Sequence, residues 1–211
     1  MTKTLADRPQ LILVGGSNGS GKTTLAMRMI EQYGFRYLGT DAFAKQLNPD
    51  DVDKVQVSAG KMFINGIKAA IQNKESIIVE STLAGFTLCE HIKEAKKNGY
   101  YVSCVYIYLD TVEISIRRVK LRVSQGGHNV PEVDIRRRFG RSRLNFWNRF
   151  RPICHFWELY YNSPEEKEDF IIDHVASSLV SEEKLYDEIN ITDDVQFKLF
   201  LKSIGVNNVS I

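Results

Sequence analysis

Residues 11 to 24 read Leu-Ile-Leu-Val-Gly-Gly-Ser-Asn-Gly-Ser-Gly-Lys-Thr-Thr, a short apolar run that breaks into glycines and then into Lys22-Thr23. Gly16 and Gly21 bracket four residues and are followed by lysine and threonine, which completes the G-x-x-x-x-G-K-[ST] pattern of a P-loop. The spacing has a physical cause. A loop that wraps a phosphate closely enough for its backbone N–H groups to point inward needs turns that residues without a Cβ adopt freely. Gly16, Gly19 and Gly21 meet that need, and Ser17, Asn18, Ser20 and Thr24 complete the expected nucleotide cradle. Lys22 is expected to reach the β- and γ-phosphates of ATP, and Thr23 to place its hydroxyl on Mg²⁺. The motif also sits where it should, after an apolar strand over 11–14 and before an amphipathic stretch over 25–30 whose positive helix end faces the anion.

Outward from the loop, strand-like and helix-like segments alternate, the pattern of an α/β protein with a parallel sheet. Residues 35–39 read as a second strand, which leads to Thr40-Asp41. Asp41 therefore lies at a strand's carboxyl end, the edge where open α/β sheets bind ligands. A helix over 55–73 precedes a buried strand over 76–82 that carries Glu80 and Thr82 near its end. Residues 100–109 are apolar at both alternating positions, which predicts a strand buried on both faces. Asp110 and Glu113 are candidates to cap the next helix, which ends at Gln125-Gly126-Gly127, and Pro131 opens another that runs to about Phe150. A fifth strand is expected over 154–161. From Pro164 the chain turns acidic, and 164–211 is expected to be a helical extension packed on the same domain as the core over 1–163.

Composition bounds the function. The chain has 211 residues, 43% hydrophobic and 26% charged, enough for one domain with a sizeable core. Its net charge of +2 gives no general attraction to nucleic acid or membranes. No apolar run approaches the roughly 18 residues of a membrane span, and the first residues lack the apolar centre of a signal peptide, so a cytoplasmic protein is expected. Cys89, Cys104 and Cys154 are odd in number and widely spaced, as suits reduced thiols.

Phosphoryl transfer also needs a base for the acceptor hydroxyl and cations for the transferred charge. Asp41 is the candidate base. Glu80 can hold a Mg²⁺-bound water or grip a substrate hydroxyl. Ten arginines fall in 117–151, opposed by Glu132 and Asp134 alone. Arg137 and Arg141 share one face of the helix after Pro131, with Arg138 beside them. The same stretch carries Phe139, Phe146, Trp147 and Phe150, with Trp157 beyond it, and an RNA surface built on charge and stacking is a second reading. Against that, most of these rings fall on the face assigned to the core.

The chain resembles the zeta-toxin family of P-loop kinases in several places: Gly-Ser-Asn-Gly-Ser-Gly-Lys-Thr at 16–23, Thr-Asp-Ala-Phe-Ala-Lys-Gln-Leu-Asn-Pro at 40–49, Glu-Ser-Thr-Leu-Ala-Gly at 80–85, and Gly-Gly-His-Asn-Val-Pro-Glu with Asp-Ile-Arg-Arg-Arg-Phe within 126–139. The similarity covers about residues 10–162 and is greatest to short, stand-alone bacterial members. It implies an adenylate-kinase-like core with a five-stranded parallel sheet in the order 2-3-1-4-5, flanked by helices, and a small lid over about 122–141. It implies Mg²⁺-dependent transfer from ATP to a small hydroxyl substrate, UDP-N-acetylglucosamine in the toxins, with toxin activity and an antitoxin partner as further expectations. The resemblance marks Asp41 as the catalytic aspartate and Arg122 as the lid arginine; with the residues read above, Lys22, Asp41 and Arg122 are the expected catalytic residues, Asp41, Glu80 and Thr82 the substrate contacts, Thr23 and Glu80 the metal residues, and Arg118, Arg122, His128, Arg137, Arg138 and Arg141 the lid. His128 stands where the toxins carry a second lid arginine, so the expectation is that either one of Arg136 to Arg138 takes that role or transfer is weaker. A kinase for another small molecule, similar to chloramphenicol phosphotransferase, fits the same pattern.

Overall fold

The structure is a computed structural model, described here over residues 7–162, 172–180 and 188–206. At its centre lies β1 (Gln10–Gly16), whose Leu11 and Leu13 face one hydrophobic layer and Ile12 and Val14 the other. Burial on both faces is what a central parallel strand requires. β1 pairs in parallel with β3 (Ile77–Ser81) on one side and β4 (Tyr101–Tyr108) on the other. β2 (Arg36–Gly39) adds to β3, and β5 (Phe156–Tyr161) adds to β4, both parallel. The order 2-3-1-4-5 stands, with every carboxyl end on one edge.

Helices make the crossovers. α1 (Lys22–Tyr33) follows β1, α2 (Thr40–Leu47) and α3 (Gln56–Asn73) follow β2, and α4 (Thr87–Lys97) follows β3. After β4 come α5 (Val112–Ser124) and α6 (Glu132–Asn145). The cap of α5 is Thr111, whose Oγ1 accepts from the Ile114 N–H, and not Asp110, whose carboxylate instead accepts the Tyr161 hydroxyl at 2.5 Å.

The sheet has seven strands where five were expected. β6 (Asp173–Leu179) runs antiparallel beside β5, and β7 (Asn190–Ile191) antiparallel beside β6. The extension expected to be helical thus supplies two strands before its one described helix, α7 (Asp194–Ser203). A bulge explains why the strand pattern was hidden. The register between β5 and β6 shifts at Leu159/Tyr160, which makes Val175 and Ala176 consecutive buried residues and breaks the period of two.

α7 is part of the core. Phe197, Phe200 and Leu201 pack with Tyr106, Phe146, Trp147 and Trp157, and at 1.5–3 kcal/mol per buried large apolar side chain they contribute roughly 5–9 kcal/mol of gross burial. Tyr108 adds a hydroxyl donated to Gln196 Oε1 at 2.7 Å. Phe146, Trp147, Phe150 and Trp157 are all buried in this layer, so four of the five rings that suggested base stacking are committed to packing, and the half-buried Phe139 lies under the Arg143 guanidinium.

Candidate nucleotide and phosphoryl-transfer site

The P-loop connects the end of β1 to α1, and its glycines carry the strain of the turn. Gly16, Gly19 and Gly21 have φ of 148°, 74° and 94°, values in the left-handed half that disfavours side chains. Space reinforces the point at Gly19, where a Cβ would meet Arg118 Cβ at 3.0 Å.

Four successive carbonyls of the loop accept hydrogen bonds from side chains, one from Lys22 within the motif and three from residues outside it. Lys22 Nζ donates to Ser17 O at 2.8 Å, and Ser115 Oγ to Asn18 O. Arg118 Nη1 donates to Gly19 O at 3.4 Å, and Asn162 Nδ2 to Ser20 O at 2.9 Å. Because the C=O and N–H of a trans peptide point in opposite directions, fixing these carbonyls turns the N–H groups of Asn18, Gly19 and Gly21 the other way, toward an anion site. Ser17 Oγ, Asn18 Oδ1 and Ser20 Oγ are buried with no partner among the described residues, and of the three residues Asn18 lines the cleft.

A cleft of about 830 Å³ opens above the loop. Lys22, Thr23, Thr24, Asn18, Gly19 and Gly21 line its floor. Asp41, Glu80 and Thr82 line one wall, and Arg118, Arg122, His128, Arg137, Arg138 and Arg141 the other. Gly16, Ser17 and Ser20 support the floor from behind. The structure therefore gathers the sequence-derived residues into one place, with Arg136 outside it, engaged by Glu113 at 3.0 Å and Glu132 at 2.8 Å.

Lys22 is the electrostatic focus. It is only 7% exposed, and burial pulls its pKa below the usual lysine value. The Glu80 and Asp41 carboxylates work against that shift, and the Arg122 and Arg138 guanidiniums add to it, so two acids and two bases act on this one ammonium.

Glu80 uses both carboxylate oxygens. Thr23 Oγ1 donates to Oε1 at 3.0 Å, and the Tyr37 hydroxyl donates to Oε2 at 2.6 Å. Asp41 sits in the first turn of α2 and is exposed. Leu83, just past Thr82, holds a left-handed φ of 56°, rare for a branched side chain. Its carbonyl is held by Asn145 Nδ2 at 2.7 Å, and its side chain packs where a Cβ on Gly15 would otherwise intrude. This turn carries Ala84 and Gly85 into the cleft wall.

Arg122 is anchored from below. Its Nη2 donates to the His128 carbonyl at 2.7 Å, while its buried Nε has no partner. Gly126, with φ of 84°, allows the chain to reverse, and at Gly127 a Cβ would strike Arg122 Cγ at 2.5 Å. His128 thus serves Arg122 through its backbone. Arg137 pairs with Asp134 at 2.6 Å, and Arg138 approaches the same carboxylate at 4.0 Å.

Sequence reasoning missed Tyr37, Gln56, Asn129 and Asp134 in the cleft, and Ser115 and Asn162 behind the loop.

The zeta toxin family model matches residues 2–171. A protein of Haemophilus influenzae described as uncharacterized is 37% identical over 125 residues, 59% of this chain and 88% of that one. A chain from the PezAT chromosomal toxin–antitoxin system of Streptococcus pneumoniae superimposes with a TM-score of 0.59 at 19% identity, over 99% of this chain and 83% of that one. The AvrRxo1-ORF1:ORF2 complex solved with ATP gives a TM-score of 0.68 at 18% identity, over 97% of this chain and 65% of that one. At those identities the two structures speak for the fold, whereas the family model spans the P-loop, both carboxylates and every arginine of the cleft. The chain belongs to the zeta toxin family of P-loop kinases, whose reaction is ATP-dependent phosphoryl transfer.

Proposed function

We propose that this chain moves the γ-phosphoryl group of Mg²⁺-ATP to a hydroxyl of a small molecule, with a nucleotide sugar such as UDP-N-acetylglucosamine as the acceptor class. The observation that carries the reading is the convergence on Lys22 of Asp41 and Glu80 from one side of the cleft and Arg122 and Arg138 from the other. The P-loop amides and Lys22 hold the phosphates. Asp41 takes the proton as the acceptor oxygen attacks phosphorus and the bond to the β-phosphate oxygen breaks. Arg122, with Arg137, Arg138 or Arg141 from the lid over about 122–141, neutralises the charge on the group in flight.

The donor set fits Mg²⁺. Thr23 and Glu80 offer hard oxygen atoms, already 3.0 Å from each other, beside a loop that leaves buried oxygens unpartnered. The ion would neutralise developing charge between the β- and γ-phosphates.

The likeness to a toxin–antitoxin component supports an antitoxin protein as partner and toxin activity as the outcome. No helix among the described residues is long and apolar enough to cross a membrane, which fits a cytoplasmic site of action. An RNA-directed activity is less well supported, since four of its five stacking rings are buried.

The test is to incubate the protein with ATP and Mg²⁺ against nucleotide sugars, free sugars, chloramphenicol and oligonucleotides, and to identify the phosphorylated product by mass spectrometry. Asp41→Asn is expected to keep ATP affinity and lose about 10²-fold or more in turnover. Lys22→Ala is expected to abolish transfer. Normal turnover in both variants would dismiss the assignment.

A further inference from the structure

Glu80 has two possible tasks in this cleft, on the metal side with Thr23 or on the acceptor side with Asp41. The geometry around Tyr37 separates them. β2 and β3 pair so that Gly39 lies directly beside Glu80, and the Tyr37 side chain folds across Gly39 to bring its hydroxyl to Glu80 Oε2 at 2.6 Å. That length is typical of a charge-assisted O–H···O⁻ bond.

Gly39 is what allows this path. Its φ of −142° and ψ of 138° are ordinary extended backbone that any residue adopts, so the chain itself does not require a glycine there. A Cβ at this position would come to 2.8 Å from Tyr37 Cζ and closer still to the hydroxyl. The missing side chain therefore serves the tyrosine.

We propose that Tyr37 is a positioning residue that holds Glu80 to the Thr23 side of the cleft to serve the divalent cation, leaving Asp41 as the carboxylate that meets the acceptor, and that Gly39 exists to let the Tyr37 hydroxyl pass. With Oε1 at Thr23 and Oε2 held by Tyr37, the Glu80 carboxylate is fixed in orientation on the Thr23 side, and each oxygen keeps a further lone pair for a cation or its water. The inference rests on the Mg²⁺-ATP reading of the site.

Calorimetric titration of ATP, with Mg²⁺ in excess and with EDTA, tests it on the wild type, Tyr37→Phe and Gly39→Ala. Both variants should bind metal-free ATP as the wild type does, and should need about tenfold more Mg²⁺ for the same enhancement of binding, the usual cost of removing a partner that orients a metal ligand. If Gly39→Ala does not fold, Tyr37→Phe carries the result alone. Wild-type Mg²⁺ dependence in Tyr37→Phe would overturn the inference and leave the proposed reaction standing. So would an equal loss with and without Mg²⁺, which marks a general structural role. A wild type whose ATP binding ignores Mg²⁺ altogether would overturn both.

Discussion

The two walls of the cleft are held by different physics. On the P-loop side, the carbonyls of Ser17, Asn18, Gly19 and Ser20 are fixed by Lys22, Ser115, Arg118 and Asn162, and Ser115 and Asn162 are themselves buried. On the lid side, α6 is tied to α5 through Arg136 with Glu113 and to itself through Arg137 with Asp134, pairs in which the arginines are about half exposed. A buried hydrogen bond is costly to break because the group left behind goes unsatisfied, whereas an exposed pair trades readily with water and salt. Buried hydrogen bonds therefore hold the nucleotide half, whereas exposed ion pairs and the small buried cluster of Ile116, Val119, Val130 and Ile135 hold the half proposed as the lid.

The boundary between the two falls inside α5. Arg118 is bound to the P-loop and, through Nη2, to Asn162 at 3.1 Å, whereas Arg122, one turn later, is bound to the His128 carbonyl beyond the two glycines. Arg122 thus turns toward the segment proposed as the lid, although Glu113, Ile116, Val119 and Lys120 earlier in α5 also meet that segment.

The largest effect should come from breaking the lid's contribution to the reacting centre. Arg122→Ala is expected to lower turnover by about 10³-fold with little change in ATP affinity, because an arginine that meets the transferred phosphoryl group acts mainly in the transition state. Steady-state kinetics beside calorimetry checks this. A matched loss in both would assign Arg122 to ground-state binding, on the P-loop side.

A smaller effect should come from loosening the P-loop wall. Asn162→Ala removes the donor to Ser20 O and the acceptor for Arg118 in one step. Leaving a buried carbonyl unsatisfied costs about 1–3 kcal/mol, so ATP affinity should fall about tenfold while turnover at saturating ATP stays near wild type. A loss confined to turnover would contradict the division between the walls.

How legible each wall was follows from the range of its interactions. The P-loop could be read because its glycines answer a local backbone demand, and Lys22-Thr23 follow at fixed spacing. β1 and β4 could be read because burial on both faces leaves no polar alternation. The arginine wall could be read as a cluster, but not which member faces the cleft, since the pairing of Arg136 with Glu113 spans 23 residues and depends on how α5 and α6 cross. Asn162 and Ser115 lie 142 and 97 residues from the carbonyls they hold. Nothing in their immediate sequence announces such partners. Tyr37 was hidden for a related reason, having the look of an ordinary strand residue until Glu80 is placed beside it. The extension after residue 163 was misread because an irregular pairing, not a regular pattern, makes β6 a strand.

The smallest effect expected is also the sharpest check on the contrast. Arg136 is the most fully ion-paired arginine of α6, bound to Glu113 at 3.0 Å and to Glu132 at 2.8 Å, and it stands outside the cleft. Pairing holds the Glu113 carboxyl below its usual value and the Arg136 guanidinium above its own, which shows contact between the charges but says little about stability where solvent screens both partners. Arg136→Ala should therefore leave turnover within about threefold of wild type and unfolding nearly unchanged, while amide hydrogens of α6 exchange faster, because the strap between α5 and α6 has been cut. Raising the salt concentration on the wild type should mimic the substitution by screening the same pairs, with no matching change in the P-loop, whose bonds are buried. A large fall in turnover for Arg136→Ala would place it among the working arginines after all, and an equal response of both walls to salt would remove the distinction between a nucleotide floor held by buried bonds and a wall held by exposed pairs.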